Sequence, residues 1–182
     1  MRNVSAELRR DAVRALKRVR QIRDYRPDQV PDDLLNEILD VARWTGSASN
    51  RQSWRFIVLR DAATRQRIAD IGAPSTTHVG KAPLAIAVVM AGEAEVRDAY
   101  DEGRVSERIL IAAELLGLGA GISWVKAGLR PEVHEILGVS EPQFVRTIVA
   151  IGYPTDAAKQ PKAPPGTARK PLAELVYDER LS

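Results

Sequence analysis

A run of polar side chains, residues 45–54, separates two apolar segments. The segment before it has leucine, isoleucine and valine at helical spacing, and residues 54–59 after it are typical of a buried strand. A helix-to-strand connection needs few residues, yet this one carries hydroxyl, amide and guanidinium groups in close succession. Such a density of hydrogen-bond donors and acceptors predicts that the run binds a polar ligand. Its candidate ligand-binding residues are Ser47, Ser49, Asn50 and Gln52.

Positive charge is concentrated between residues 9 and 26, although the net charge of the chain is only +3. The first basic residues accompany an apolar stripe at helical spacing and predict the solvated face of an amphipathic helix. Arg20 and Arg23 lie where that pattern ends, so we expect them to bind an anionic ligand. Nucleic-acid binding by the basic helix is a second hypothesis. It is disfavoured because no stacking aromatics are interleaved with the helix arginines, so no nucleic-acid partner is expected.

Side chains for nucleophilic or metal chemistry are scarce. The chain has no cysteine, and its two histidines, His78 and His134, lie far apart without acidic residues at metal-ligand spacing. His78 is predicted to be a loop residue, with a substrate contact as the alternative, and His134 a surface residue of a short helix. Walker-type phosphate loops and GxSxG nucleophile motifs are absent from the sequence. The glycines of residues 117–121 follow a helical pattern and precede a strand, so they predict a helix end rather than a dinucleotide fingerprint. We therefore expect no metal and no catalytic side chain, but a bound cofactor that supplies the chemistry.

The apolar patterns predict alternating helices and strands, which is typical of an α+β or α/β domain. Residues 72–83 are predicted to be a loop, and prolines predict an extended tail from residue 153 to Leu172. The longest apolar run, residues 84–91, is too short to span a membrane, and the first residues lack an apolar signal core, so we expect a cytoplasmic protein. Helices are predicted over residues 5–20, 31–44, 61–71, from 96 or 104 to 116, and 131–137, and strands over 54–60, 84–91, 122–125 and 144–151.

Four segments together resemble the FMN-dependent nitroreductase family. Their order along the chain is the order in that family, and they extend over most of the sequence. The four segments are residues 20–25 (RQIRDY), 47–54 (SASNRQSW), 112–119 (AAELLGLG) followed by Trp124, and 168–172 (ARKPL).

The resemblance implies an α+β fold, a three-layer α-β-α arrangement with a central, mostly antiparallel sheet. It also implies an intertwined homodimer with FMN bound at the subunit interface. The whole chain, residues 1–182, would form a single FMN-binding domain, and a C-terminal arm of about residues 153–182 would cross to the partner subunit.

The resemblance further implies which residues hold the cofactor. Arg20, Arg23 and Arg169 would bind the FMN phosphate, since guanidinium forks match phosphate oxygens. The polar residues of the run 45–54 would bind the ribityl chain and the pyrimidine edge. A cation near the N1–C2 carbonyl edge would stabilise negative charge there; Arg23 is the candidate, with Lys126 as the alternative. The remaining implied cofactor-binding residues are Gln21, Trp124 and Val125.

The implied activity is an NAD(P)H oxidoreductase with a ping-pong cycle. NAD(P)H would reduce FMN, which would then reduce a small electron acceptor such as a nitroaromatic or a quinone. Two alternatives remain open within the same fold. One is a different flavin reaction, such as dehydrogenation, reductive dehalogenation or flavin breakdown, and the other is a flavin-binding protein without catalysis.

Overall fold

One antiparallel sheet of four strands forms the centre of the described structure, with strand order β1-β2-β4-β3. The structure is a computed structural model that describes residues 6–160, 163–164 and 169–181. Its helices and strands, in chain order, are α1 (Ala6–Leu16), α2 (Asp32–Arg43), β1 (Trp54–Leu59), α3 (Ala62–Ile71), α4 (Thr77–Lys81), β2 (Leu84–Met90), α5 (Glu95–Leu115), β3 (Gly119–Trp124), α6 (Arg130–Leu137), β4 (Phe144–Gly152) and α7 (Asp156–Lys159).

The sequence of β2 explains why it lies inside the sheet. Its seven residues, LAIAVVM, are all buried, which is typical of a strand covered on both faces. Side chains alternate between the two faces. Ile86 and Val88 pack with α2 and α5, whereas Ala85 and Ala87 pack with α3, α4 and α6. Helices therefore cover both faces of the sheet, and the predicted three-layer α+β fold is confirmed.

Local signals set several boundaries as predicted. The Asp61 side chain accepts a hydrogen bond from the backbone N–H of Thr64 (2.7 Å) and caps α3. Gly117 and Gly138 adopt positive φ angles of 77° and 65° just after α5 and α6, where a left-handed residue ends a helix. Gly119 and Gly121 belong instead to β3, so that strand begins earlier than residue 122.

The predictions of a loop at residues 72–83 and of an extended tail are wrong in part, because each segment contains a short helix. Residues 72–83 contain α4, because the Thr76 hydroxyl donates to the carbonyl of Ala69 (3.0 Å) and Val79 is buried under the sheet. The tail is not extended throughout, because Thr155 caps α7 by accepting from the backbone N–H of Ala158 (3.1 Å). Neither helix is long enough to produce a periodic pattern in the sequence.

The first helix is shorter than predicted and ends at Leu16. Residues 17–19 form tighter turns, with Lys17 N–H donating to the Arg14 carbonyl (3.1 Å). The chain then becomes extended, because residues 21 and 22 pair with β3. Among the described residues, we find no helix with the length and apolar character that a bilayer crossing requires.

Candidate functional site

Gln21 and Ile22 lie at the start of the outer edge of β3, and residues 24–26 pair with residues 153–155, which follow β4. The backbone N–H of Ile22 donates to the carbonyl of Ala120 (2.8 Å), and the Gln21 Oε1 atom accepts from the N–H of Ile122 (2.6 Å). These bonds occupy the beginning of an edge that would otherwise present unpaired backbone groups. They also fix Arg20 and Arg23 next to β3, which places the two predicted anion-binding residues on one anchored segment.

Arg20 is held at the end of α7. Its Nη1 atom donates to the carbonyl of Gln160 (2.9 Å), and its Nη2 atom donates to the carbonyls of Ala158 (2.9 Å) and Lys159. These bonds account for three of the five N–H donors that a guanidinium carries. The group is thus oriented by the protein and retains donors for a ligand.

A cleft of about 770 Å³ lies beside this guanidinium and brings Arg20, Gln21 and Arg169 together. Lys17 and Arg18 also line it, with Glu114 as the acidic group. With Lys159, five cations line this cleft and favour an anion, and guanidinium forks suit the oxygens of a phosphate. Arg169 lies within the described residues and is exposed; the adjoining Ala168 of the predicted motif lies outside them. Lys17 and Arg18 are additions that the amphipathic helix pattern did not reveal.

The predicted polar run forms a tight turn between α2 and β1. The Ser47 hydroxyl accepts from the backbone N–H of Gln52 (2.9 Å), and the Gln52 amide donates to Asn50 Oδ1 (3.2 Å). Ser49, Asn50 and Gln52 have φ angles of 53°, 53° and 50°, in the left-handed region that favours glycine. Strained non-glycine residues cluster at ligand sites. The side chains of Ser49, Asn50 and Gln52 are exposed in this turn.

β3 ends at Trp124, and Val125 and Lys126 follow it. Trp124 is 51% exposed, and the Arg146 guanidinium lies 5.1 Å from the centroid of its ring. Val125 is fully buried, its N–H donates to the Arg146 carbonyl (2.8 Å), and its carbonyl accepts from Arg130 Nε (3.4 Å). Lys126 follows with an exposed side chain.

The direction of the backbone bonds in β3 follows from the Val125 contact. In an antiparallel pair, alternate residues point their N–H and C=O groups toward the neighbouring strand. The backbone N–H of Val125 points toward β4, so the backbone N–H and C=O groups of Ile122 and Trp124 point outward, away from β4. The hydrogen bond from the Ile122 N–H to the Gln21 side chain confirms this direction. The Trp124 N–H thus lies on the open part of the β3 edge, beyond Gln21.

The predicted site residues form two separate groups within one chain. The cleft, the open β3 edge and Trp124–Lys126 lie at one edge of the sheet, whereas the turn at residues 47–52 leads into β1 at the other edge. Three strand spacings of about 4.8 Å separate the edges by roughly 14 Å. Trp54 and Trp124 lie at the same end of the sheet, as the strand registers require.

The sequence did not indicate the role of one buried residue, His78, which was predicted to be a loop residue. It lies on α4, with its Nε2 atom 2.9 Å from Ser123 Oγ and 3.3 Å from the Gly121 carbonyl. The pKa of His78 is lowered, chiefly by burial; the bond to the Gly121 carbonyl opposes this shift, and Arg23 and Lys81 add to it. The pKa of Tyr25 is raised, chiefly by burial. The hydroxyl of Tyr25 lies 2.5 Å from the carbonyl of Ile22 and remains a neutral donor.

Comparisons with known proteins show which family the chain is similar to. The sequence profile of the Nitroreductase family matches residues 16–83. A Methanothermobacter thermautotrophicus protein, provisionally named NADH dehydrogenase/NAD(P)H nitroreductase, is 33% identical over 155 residues, which cover 80% of this chain and 78% of the relative. The FMN reductase [NAD(P)H] of Bacillus subtilis is 23% identical, over 94% of this chain and 78% of the relative.

Solved structures share the fold. An FMN-dependent nitroreductase of Clostridium difficile superposes with a TM-score of 0.80 at 23% identity, over 93% of this chain and 99% of the other. The shared fold thus extends along nearly the whole chain. The sequence identity to the Methanothermobacter thermautotrophicus relative exceeds 30% over most of it. On these grounds the chain belongs to the nitroreductase family.

Proposed function

We propose that this protein is an FMN-dependent oxidoreductase that takes electrons from NAD(P)H and passes them to a small electrophile such as a nitroaromatic or a quinone. The observation that carries the proposal is the cationic cleft beside the open edge of β3 in a chain of the nitroreductase family. The family's relatives named above include an FMN reductase and an FMN-dependent nitroreductase.

The residues fit FMN in order along β3. Arg20 and Arg169 would bind the phosphate in the cleft, and Gln21 lies at the start of the strand edge. Gly119 to Trp124 spans about 17 Å at 3.4 Å per residue, long enough to accompany the ribityl chain and reach the ring. The outward N–H of Trp124 would donate to the ring edge. Arg23, or alternatively Lys126, would place positive charge near its N1–C2 carbonyl.

The site would be completed by a second copy of the chain. Ser47, Ser49, Asn50 and Gln52 flank the opposite sheet edge, too far to contact a ligand that lies along β3 of the same chain. A homodimer would bring the turn of one protomer to the β3 edge of its partner, and the C-terminal arm, residues 153–182 of this single domain, would cross between them. The exposed apolar residues Leu172, Leu175, Val176 and Tyr177 support such an arm, since they need a covering surface.

FMN, when bound, would supply the redox chemistry, a two-electron transfer from NAD(P)H to the acceptor. The protein's side chains bind and orient, and no nucleophile or metal is required. Among the described residues, no cluster of histidine and acidic side chains is suited to a metal ion. We place the reaction in the cytoplasm, where NAD(P)H is regenerated.

The absorption spectrum of the purified protein tests the proposed function. We expect a yellow protein whose flavin band bleaches within seconds of adding NADH or NADPH without oxygen, and recovers when a nitroaromatic or quinone is added. A colourless protein that does not take up FMN would overturn the proposal. A flavin that neither nicotinamide bleaches would instead favour a dehydrogenase, a dehalogenase, a flavin-degrading enzyme or a non-catalytic flavoprotein.

Complementation between two variants tests the shared site. Arg20→Ala removes a charge-assisted phosphate contact worth roughly 1.5–3 kcal/mol, so FMN should bind at least tenfold more weakly, and Arg169→Ala should behave alike. Asn50→Ala should weaken FMN binding in the site that this turn completes, along β3 of the partner protomer. In a co-expressed mixture of Arg20→Ala and Asn50→Ala chains, about one quarter of the sites should regain normal affinity, because half of the random dimers contain one intact site.

The same mixture separates the alternatives. If each site belongs to one chain, co-expression restores no high-affinity FMN and leaves only the two weakened classes. If Arg20→Ala and Arg169→Ala chains both retain stoichiometric FMN at nanomolar protein, the phosphate assignment is wrong.

A further inference from the structure

A buried polar cluster connects α4, β3 and residues 20–25. His78 is 5% exposed and Ser123 is fully buried, with 2.9 Å between His78 Nε2 and Ser123 Oγ. The same nitrogen lies 3.3 Å from the carbonyl of Gly121. A carbonyl can only accept, so Nε2 carries the proton when that bond is made. One imidazole nitrogen thus contacts two residues of β3 that are two positions apart.

Gly121 is the point at which the three elements meet. A Cβ atom there would lie 2.2 Å from the Ile22 carbonyl oxygen, 3.1 Å from the Tyr25 hydroxyl and 3.2 Å from His78 Cδ2. The Tyr25 hydroxyl in turn lies within hydrogen-bond distance of the carbonyls of Ile22 (2.5 Å) and Ala150 (3.1 Å). The ring of His78 and the segment that carries Arg23 therefore pack against the same glycine.

The cluster is directly connected to the open strand edge. Gly121 and Ser123 alternate along β3 with Ile122 and Trp124, whose backbone groups point outward. A shift of Ser123 or Gly121 would therefore move the outward N–H of Trp124. It would also move residues 20–25, since Ile22 is bonded to Ala120 and packs on Gly121.

We propose that His78 is a positioning residue for the flavin site, holding β3 and residues 20–25 in the register that lets the strand edge and the cations meet FMN together. The proposal rests on the proposed FMN-binding function. His78 does not touch the cofactor in this proposal; it acts through Ser123 and Gly121.

The surroundings of His78 favour its neutral form. Charged neighbours are Arg23 from residues 20–25 and Lys81 from α4 itself, and the titratable hydroxyl of Tyr25 packs on the same glycine. Burial is the largest influence on the pKa of the imidazole and lowers it; the bond to the Gly121 carbonyl raises it, and both cations lower it further. The net effect is a lowered pKa, which favours a neutral ring that donates through Nε2.

The experiment compares His78→Leu and His78→Gln as purified holoproteins, with the Kd of FMN measured from the flavin fluorescence released on dilution. Leucine removes both contacts with β3 and should raise the Kd of FMN at least tenfold. Glutamine keeps an N–H donor and should stay within about threefold of the wild type. His134→Leu is the matched control, because its Nε2 accepts from the backbone N–H of Val145 on β4 (2.9 Å); its melting temperature should fall while the Kd of FMN stays unchanged.

Two results would overturn the proposal. One is a wild-type FMN affinity in His78→Leu; the other is equal weakening in His78→Leu, His78→Gln and His134→Leu, which would mean that any lost buried contact has the same effect. A wild-type protein that binds no FMN would contradict the proposed function itself, so the two failures are distinguishable.

The pH dependence of stability gives an independent readout. A histidine whose pKa is lowered by folding binds fewer protons in the native state than in the unfolded state. The native state should therefore lose stability as the pH falls below about 6.5, the pKa of His78 in the unfolded chain. This loss should continue until the pH reaches the lower pKa of His78 in the folded protein. At constant FMN concentration, this part of the decrease in melting temperature should be absent from His78→Gln. An identical pH profile in wild type and His78→Gln would contradict the neutral-imidazole assignment.

Discussion

Glu102→Ala should lower the free energy of unfolding by about 3–5 kcal/mol, the largest stability loss that we expect from a single substitution in this chain. Glu102 is 2% exposed and accepts a hydrogen bond from Arg146 Nε (2.8 Å). Its removal would leave the Arg146 guanidinium buried between the rings of Trp124 (5.1 Å) and Phe144 (5.3 Å) without a counter-charge. Urea unfolding at fixed protein and FMN concentrations would measure the change.

Two comparisons isolate the buried charge as the cause. Asp40→Ala breaks the exposed ion pair with Arg43 (2.7 Å) and should cost less than about 1 kcal/mol. Combining Glu102→Leu with Arg146→Met removes both charges and should recover most of the loss. If Glu102→Ala costs no more than Asp40→Ala, the Arg146 charge is not confined as the structure indicates.

Gly121→Ala should raise the Kd of FMN at least tenfold, which is about 1.4 kcal/mol or more of binding free energy, and should lower the melting temperature. The added methyl group would lie 2.2 Å from the Ile22 carbonyl oxygen, a backbone atom that no side-chain rotation can displace. The Ile22 N–H itself donates to the Ala120 carbonyl on β3 (2.8 Å), so Gln21 and Ile22 would have to move away from the strand edge, and Arg20 and Arg23 on either side of them would move as well. Fluorescence of released FMN and thermal melting would measure both effects.

Gly103→Ala is the control for this substitution. Nothing lies within 4 Å of a Cβ atom at Gly103 on α5, and alanine favours a helix over glycine by roughly 0.5–1 kcal/mol. We expect a slightly higher melting temperature and an unchanged Kd of FMN. An unchanged Kd in Gly121→Ala as well would show that residues 20–25 do not depend on β3 for their position.

The sequence predicted the parts of the fold that long patterns or local caps determine. β2 was recognisable because all its residues are apolar, and α3 because Asp61 precedes it. In contrast, α4 depends on contacts that are distant in sequence, including the bond between His78 and Ser123. A five-residue helix has too few intrahelical bonds to be encoded locally.

The candidate site shows the same division. The polar turn and the arginines were visible as residue types, and the resemblance supplied their order. Their distribution over opposite sheet edges depends on the strand order β1-β2-β4-β3, which is a tertiary property. The importance of His78 depends on the placement of Gly121 and Ser123 more than forty residues away, which no local pattern expresses.

The left-handed backbone of Ser49, Asn50 and Gln52 also has a consequence for stability. Asparagine tolerates this conformation, but Ser49 and Gln52 each carry a cost of order 1–3 kcal/mol there that glycine would avoid. Selection for stability alone would therefore favour glycine at both positions. Ser49→Gly and Gln52→Gly should therefore raise the melting temperature, while the loss of a hydroxyl and an amide from the proposed FMN site should weaken FMN binding.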